Sequence, residues 1–276
     1  MKFLSPGIPL STPPPGDLLA GLRRAAELGI SGMELEFVRG IWMTEEQARA
    51  VKKLARELGL ALTAHAPFFV NLNSQEPEKV VASRKRILDS ARMAMLAGAE
   101  KVTFHAAWRH GQPGEKVFLR VAEEMRSLVK QAKKEKLAVE LAPETAGKKS
   151  QFGALPELLR IAKEVPGARI CFDFAHLAAS SAGEENSPEA FRGWLDAIEK
   201  TLGKSALKKL YGHISGIEWT PAGERKHHPF LSPENLFDWR GCLRVLKECG
   251  CDGALVVESP ILEEDILLAK KTWAEL

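Results

Sequence analysis

The stretch LALTAHAPFFVNLNSQEPEKVVASRKRILDSARMAMLAGAEKVTFH (60–105) decides the fold. It opens on a short apolar run, Ala61 to His65, and crosses a loop rich in Pro, Asn and Ser. From Glu78 to Leu96 apolar residues recur at three- and four-residue spacings, which predicts an amphipathic helix. A second short apolar run then follows, Lys101 to His105. The stretch is a strand–helix–strand unit, and the pattern repeats outward in both directions. Upstream lie strand runs at Lys2 to Ser5 and Met33 to Phe37, with helices predicted over Asp17 to Leu28 and Glu45 to Leu58. Downstream come a helix over Lys116 to Lys134 and strand runs at Leu137 to Leu141, Arg169 to Asp173, Leu210 to Ser215 and Ala254 to Glu258. Thr44 and Ser232 are expected as N-caps, and Gly59 and Gly250 as C-terminal stops. Eight strand runs alternating with helices, without a linker or a shift in composition, predict an α/β chain. The expected architecture is one closed (β/α)8 TIM barrel spanning residues 1–276. A doubly wound open sheet is the alternative, but no GxGxxG follows the first strand.

Composition agrees with a large globular core. The 276 residues are 45% hydrophobic and 27% charged, which excludes a disordered chain. No apolar run approaches the ~20 residues that cross a bilayer, and the opening MKFLSPGIPLSTPPPGD lacks the order of a signal peptide. A cytoplasmic protein with no membrane partner is expected. Cys171, Cys242, Cys249 and Cys251 have no CxxC spacing and are read as reduced thiols. With 39 basic against 36 acidic residues, the net charge of +3 neither demands nor excludes a nucleic-acid partner.

Barrel enzymes build their sites at the C-terminal ends of the strands, so the residues closing each apolar run matter most. His65 closes LALTAH, His105 closes KVTFH, Asp173 closes RICFD, His213 sits in LYGHIS and Glu258 closes ALVVE; Glu140 and Glu144 bracket the end of the fifth strand. One histidine at a strand end is more often a satisfied structural residue than a ligand, and a mouth carboxylate often pairs with Lys or Arg. The set is different. Imidazoles and carboxylates converging on one mouth are costly to desolvate unless cations hold them together. The expectation is a metal centre, with zinc favoured by the mixed donors and manganese as the alternative. Asp173 and His176 add a DxxH at the sixth strand end, and the loop GERKHHPFL (223–231) adds His227 and His228.

The segments HAPFFVNLNS (65–74), VTFHAA (102–107), APETAGKKSQFG (142–153), FDFAHLAAS (172–180), GHISGIEW (212–219) with GERKHHP (223–229), and VVESP (256–260) resemble the endonuclease IV family of apurinic/apyrimidinic endonucleases. The likeness covers nearly the whole chain, is closest to the shorter archaeal-type branch, and places the chain among xylose-isomerase-like barrels. It implies hydrolysis of the phosphodiester 5′ of an abasic site in duplex DNA by metal-activated hydroxide, with no general-base side chain required. It implies two or three zinc ions. His65, His105 and a fifth-strand Glu hold the first, the same Glu bridges to a second held by Asp173, His213 and Glu258, and His176 with His227 holds a third. Glu144, Asp173 and Glu258 are then the catalytic carboxylates.

Three positions depart from the family pattern. Its Glu-Asn-Thr-Ala-Gly appears here as Pro143-Glu144-Thr145-Ala146-Gly147, with the acid one residue later, so Glu144 is the expected bridge and Glu140 its rival. The Asp two residues before the third ion's His is Arg225, and the nearest acid is Glu224. A frequent Tyr is Phe68. For DNA, cations and large side chains at the mouth are the candidates: Arg39 and Trp42, Phe68 and Asn71, Trp108 and Arg109, Lys148 and Lys149, and Arg225 and Lys226. No protein partner is inferred. The rival activity is a sugar isomerase or epimerase in which Glu144 or Glu140, Asp173, His213 and Glu258 hold one divalent ion; a non-catalytic binding module is the third reading. Neither needs His65, His105, His176 and His227 together.

Overall fold

A computed structural model describes residues 1–276. The barrel strands are β1 (Lys2–Pro6), β2 (Gly32–Glu36), β3 (Ala61–His65), β4 (Lys101–Phe104), β6 (Glu140–Pro143), β8 (Phe172–Asp173), β9 (Leu210–Ile214) and β12 (Gly253–Val257). They form one 8-stranded sheet in the order β6-β4-β3-β2-β1-β12-β9-β8, all parallel where they pair. The open edges meet through isolated parallel bridges, Leu141 with Ala168 and Glu144 with Cys171, and close the barrel. Around it run α1 (Leu18–Glu27), α2 (Glu45–Leu58), α3 (Pro77–Ala97), α4 (Gly114–Lys134), α5 (Leu155–Glu164), α6 (Phe174–Ser180), α7 (Pro188–Leu202), α8 (Lys204–Leu207), α9 (Trp239–Glu248) and α10 (Glu263–Glu275). No helix is long and apolar enough to cross a membrane.

Local chemistry sets several of these boundaries. Thr44 accepts from the Gln47 amide while the Gln47 side chain returns to the Thr44 amide, a reciprocal cap that starts α2; Gly59, at φ +68°, ends it. Ser232 does not start a helix. Its hydroxyl is taken up by Glu234 in a turn, and α9 begins only at Trp239, capped by Asp238. Gly250, at φ +65°, follows the Cys249 cap as expected. The fifth barrel strand lies further along than Leu137 to Leu141, because Leu137 still closes the turn after α4 by bonding to the Ala132 carbonyl. Its ladder begins with Glu140 opposite Lys101 and runs to Pro143. The sixth run is regular only at Phe172–Asp173, and Arg169 and Cys171 bond across to β6 instead.

Side chains alternate along a strand, so residues two positions apart share a face. Beneath the strand-end donors His65, His105, Glu144, Asp173, His213 and Glu258 lie Thr63, Thr103, Ala142, Cys171, Tyr211 and Val256, all buried. Leu4, Ala142, Cys171, Tyr211 and Val256 pack together as a small apolar plug inside the barrel, separate from the large strand–helix core. The plug is the floor of the mouth. Two antiparallel additions stand above it: β10 (Gly216–Thr220) with β11 (Gly223–His228), and β5 (Ala107–Trp108) with β7 (Gln151–Phe152).

Gly212 pairs with Phe172, and a Cβ there would meet the Phe172 carbonyl oxygen at 2.3 Å. Gly212→Ala is expected to wedge β9 from β8 beside Asp173 and His213, at a cost of about 1–3 kcal/mol, as for other overpacked interiors. Denaturant melts measure it; wild-type stability would show that the two strands separate freely.

Candidate metal centre

The donors meet around Glu144, which is 1% exposed. Its Oε2 lies 3.2 Å from His65 Nε2 and 3.6 Å from His105 Nε2; its Oε1 lies 3.1 Å from His213 Nδ1 and 3.3 Å from His176 Nδ1. Glu258 Oε1 is also 3.1 Å from His213 Nδ1. Four groups of donors result: His65, His105 and Glu144; Glu144, Asp173, His213 and Glu258; His176, Glu224 and His227; and Glu34, Glu36 and Glu258. Glu144 belongs to two of them, one oxygen facing each. Glu140 lies at the other end of β6 and pairs with Lys101 and Arg169, both at 2.8 Å. The strand itself separates the rivals, because the C-terminal end of β6 is the mouth.

Hydrogen bonding aims the imidazoles. A carbonyl only accepts, so His65 Nδ1 donates to Ala66 O at 2.7 Å, which turns Nε2 towards the centre and Glu144. His176 Nδ1 donates to Thr145 O at 3.0 Å and His227 Nδ1 to Glu258 O at 3.2 Å. Their Nε2 atoms then face each other at 3.3 Å. Two bare lone pairs at that distance require a cation, a proton in the bare protein or a metal ion when loaded. Asp173 caps α6 through Oδ1, accepting from the His176 amide at 2.7 Å; its Oδ2, like Glu36 Oε1, is buried with no hydrogen-bond partner. Such orphaned atoms suit a metal-binding site.

The charges agree. Glu144, Asp173, Glu258 and Glu224 form ion pairs with histidines only, never with Lys or Arg. Burial opposes ionisation of Glu144, but His105, His213 and His176 outweigh it and hold its carboxyl well below the usual range. Burial also opposes charge on His65, yet the Glu144 hydrogen bond and charge push it up to about 10. His105, with weaker compensation, is lowered by burial. The bare mouth therefore stores protons that metal ions of these donors would displace.

The third group answers the departure at Arg225. Trp219 pairs with Glu224 and Glu218 with Lys226, so the ladder skips Arg225 in a bulge. Ile217 and Trp219 share a face, and so therefore do their partners His227 and Glu224. The bulge makes an acid three residues before the histidine equivalent to one two residues before it. Gly147 leaves the room: a Cβ there would lie 2.7 Å from Glu224 Cβ and 2.8 Å from His176 Cδ2. Arg225 points outward to Glu218 at 2.6 Å.

The DNA candidates ring the mouth unevenly. Arg39 is exposed, and Trp42 is held by its indole N–H on Glu36 O at 2.7 Å. Phe68 and Phe69 stand half exposed with ring centroids 4.0 Å apart. Asn71 Oδ1 accepts from the Asn73 and Trp108 amides, tying two loops together. Arg109 is used internally: its guanidinium binds Glu157 at 2.9 and 2.7 Å and Gln151 O at 2.9 Å, so it braces the loop layer rather than presenting free donors. Lys226 is exposed on the opposite face of the ribbon from His227, and Lys148 bridges to Gly223. Sequence reading passed over Glu34 and Glu36, although Glu36 closes β2 just as His65 closes β3. Both are inward-facing, with buried oxygens lacking hydrogen-bond partners.

A family model described as "Xylose isomerase-like TIM barrel" matches residues 22–275. An uncharacterized protein of Methanocaldococcus jannaschii is 35% identical over 274 residues, 99% of this chain and 97% of that protein. The "Probable endonuclease 4" of Aquifex aeolicus is 24% identical over 242 residues, 84% of each chain. Among solved structures, endonuclease IV from Thermus thermophilus matches with TM-score 0.74 and 19% identity, over 100% of this chain and 98% of that one. A D-tagatose 3-epimerase-like protein matches with TM-score 0.74 and 18% identity, over 100% and 96%.

Glu144→Gln is expected to lower bound metal by at least one ion per chain, since two donor groups share that carboxylate. Glu140→Gln should keep the full complement and cost about 1 kcal/mol or slightly more, because its pairs with Lys101 and Arg169 are partly buried but lie away from the mouth. Elemental analysis and thermal melts of both variants check this; the reverse ranking would return the bridge to Glu140.

Proposed function

The chain belongs to the xylose isomerase-like TIM barrel family, and from that premise we propose that it hydrolyses the phosphodiester 5′ of abasic sites in duplex DNA. The observation carrying this reading is the third donor group, His176, Glu224 and His227, beside the two that share Glu144. A mononuclear sugar enzyme has no use for it. Zinc fits the donors best, with manganese the alternative, and two or three such ions supply a water nucleophile at neutral pH and offset charge on the attacking and leaving oxygens.

The chain's own groups divide the work. His65 and His105 present nitrogen to one side of Glu144, and His213, Asp173 and Glu258 gather on the other. Glu144, Asp173 and Glu258 are the catalytic carboxylates in this reading, because their oxygens set where the ions sit relative to the phosphate. Arg39, Trp42, Phe68, Arg225 and Lys226 form the rim offered to the DNA backbone and the abasic gap, while Asn71, like Arg109, braces the loops behind it. Arg225 would leave Glu218 for a phosphate. Four cysteines, none paired in a disulfide, agree with a cytoplasmic protein.

A second reading has its own observation. Glu144, Asp173, His213 and Glu258 make a complete four-donor site by themselves, sufficient for one divalent ion in a sugar isomerase or epimerase.

Metal-loaded protein is expected to nick a duplex containing one abasic site, with log affinity falling against log salt by a slope of roughly 0.9 for each phosphate neutralised. Arg39→Ala should weaken DNA binding at unchanged metal content. Interconversion of ketose epimers by protein holding one ion, with abasic duplex left intact, would give the function to the second reading.

A further inference from the structure

Glu34 occupies the inward position below Glu36 on β2 and is 0% exposed. A carboxylate so deeply buried is costly unless each oxygen has a partner. Oε2 accepts two hydroxyls, Thr63 Oγ1 at 2.6 Å and the Tyr211 phenol. With two donors on Oε2, only Oε1 remains for anything else. Oε1 lies 3.0 Å from His213 Nε2. That pair is close in distance but too poorly aligned for a hydrogen bond, and neither atom has another partner. The opposite nitrogen of the same ring, Nδ1, is the one turned to Glu144 and Glu258.

An imidazole that binds a metal through Nδ1 must carry its hydrogen on Nε2. Inside this barrel Glu34 Oε1 is the acceptor in place for that hydrogen. We propose that Glu34 is a positioning residue of the metal centre: it selects the His213 tautomer with Nδ1 free and fixes the ring, while Thr63 and Tyr211 fix Glu34. The arrangement follows the strand register. Tyr211 and His213 are two apart on β9, and Thr63 pairs with Glu34 across β2 and β3, so all four groups share the barrel interior. A buried carboxylate serving only packing would have been replaceable by an apolar side chain at lower desolvation cost. The inference rests on the metal-centre reading, not on the choice between DNA and sugar as substrate.

The test measures zinc affinity of the full-length protein by competition with a chromophoric chelator, alongside its melting temperature. Glu34→Gln keeps the shape and removes the charge, and should weaken binding of one ion by about 10–100-fold, as for other partners of metal-bound histidine. In a His213→Ala background the same substitution should cost less than about 2-fold, because the group through which Glu34 acts is gone. Tyr211→Phe, which loosens Glu34 without touching its charge, should shift affinity in the same direction and supplies the readout if Glu34→Gln fails to fold. Wild-type affinity in both Glu34→Gln and Tyr211→Phe overturns the proposal. So does an undiminished effect of Glu34→Gln without His213, which would make Glu34 a ligand or a purely structural group. Wild-type protein that takes up no zinc or manganese overturns the metal-centre reading itself, a result distinct from the other two.

Discussion

Four imidazoles crowd the two oxygens of Glu144, each within 3.6 Å, around a carboxylate that is itself buried. That crowding is the constraint on which the mouth depends. A buried carboxylate is tolerable only among cations or donors, and no lysine or arginine pairs with this one. Glu144 bonds through its amide to Phe104 O, and its position is bridged to Cys171, so the same residue closes the barrel seam between β6 and β8. Fold and site are joined at one residue.

Below that centre the barrel changes character within two residues on one side, while β2, β3 and β4 keep the polar residues Glu34, Thr63 and Thr103 at that level. The apolar plug of Leu4, Ala142, Cys171, Tyr211 and Val256 forms the floor, and the donors stand on it. Apolar packing beneath the donors lowers the local dielectric and strengthens the charge interactions above it. Glu34 is the one carboxylate at floor level, held by the Thr63 and Tyr211 hydroxyls. Above the donors the layer is loop and ribbon, where the side chains of Asn71 and Arg109 are engaged in tying loops together. Such bracing positions a site on a rigid support.

The β10–β11 ribbon carries the main departure from the family's sequence pattern and also resolves it. One extra residue, Arg225, is looped out, and the acid on its far side turns inward beside His227. Gly147 is small because Glu224 and His176 need its space. A strand bulge and a loop glycine thus act as one adjustment, which keeps Glu224 beside His176 and His227.

The linear pattern was sufficient for the architecture and for the strand-end donors, because alternation of short apolar runs and helical periods is local, and a strand's last inward residue can be read directly from it. His65, His105, Asp173, His213 and Glu258 were legible for that reason. What the chain alone left open was decided by pairing between distant strands. Whether Glu140 or Glu144 reaches the mouth depended on where β6 begins, and Lys101 and Arg169 hold Glu140 at the opposite end. Whether Glu224 faces His227 depended on a cross-strand register, since one skipped residue reverses which face a side chain occupies. Ser232 had the chemistry of a cap but no helix to start, and Arg109 that of a phosphate contact but a prior partner in Glu157. Glu34 shows the same limit: an acid inside an apolar strand run gives no local sign of the histidine beside it, which lies 179 residues away in the numbering. Only the curvature of the closed barrel brings these two side chains within 3.0 Å of each other.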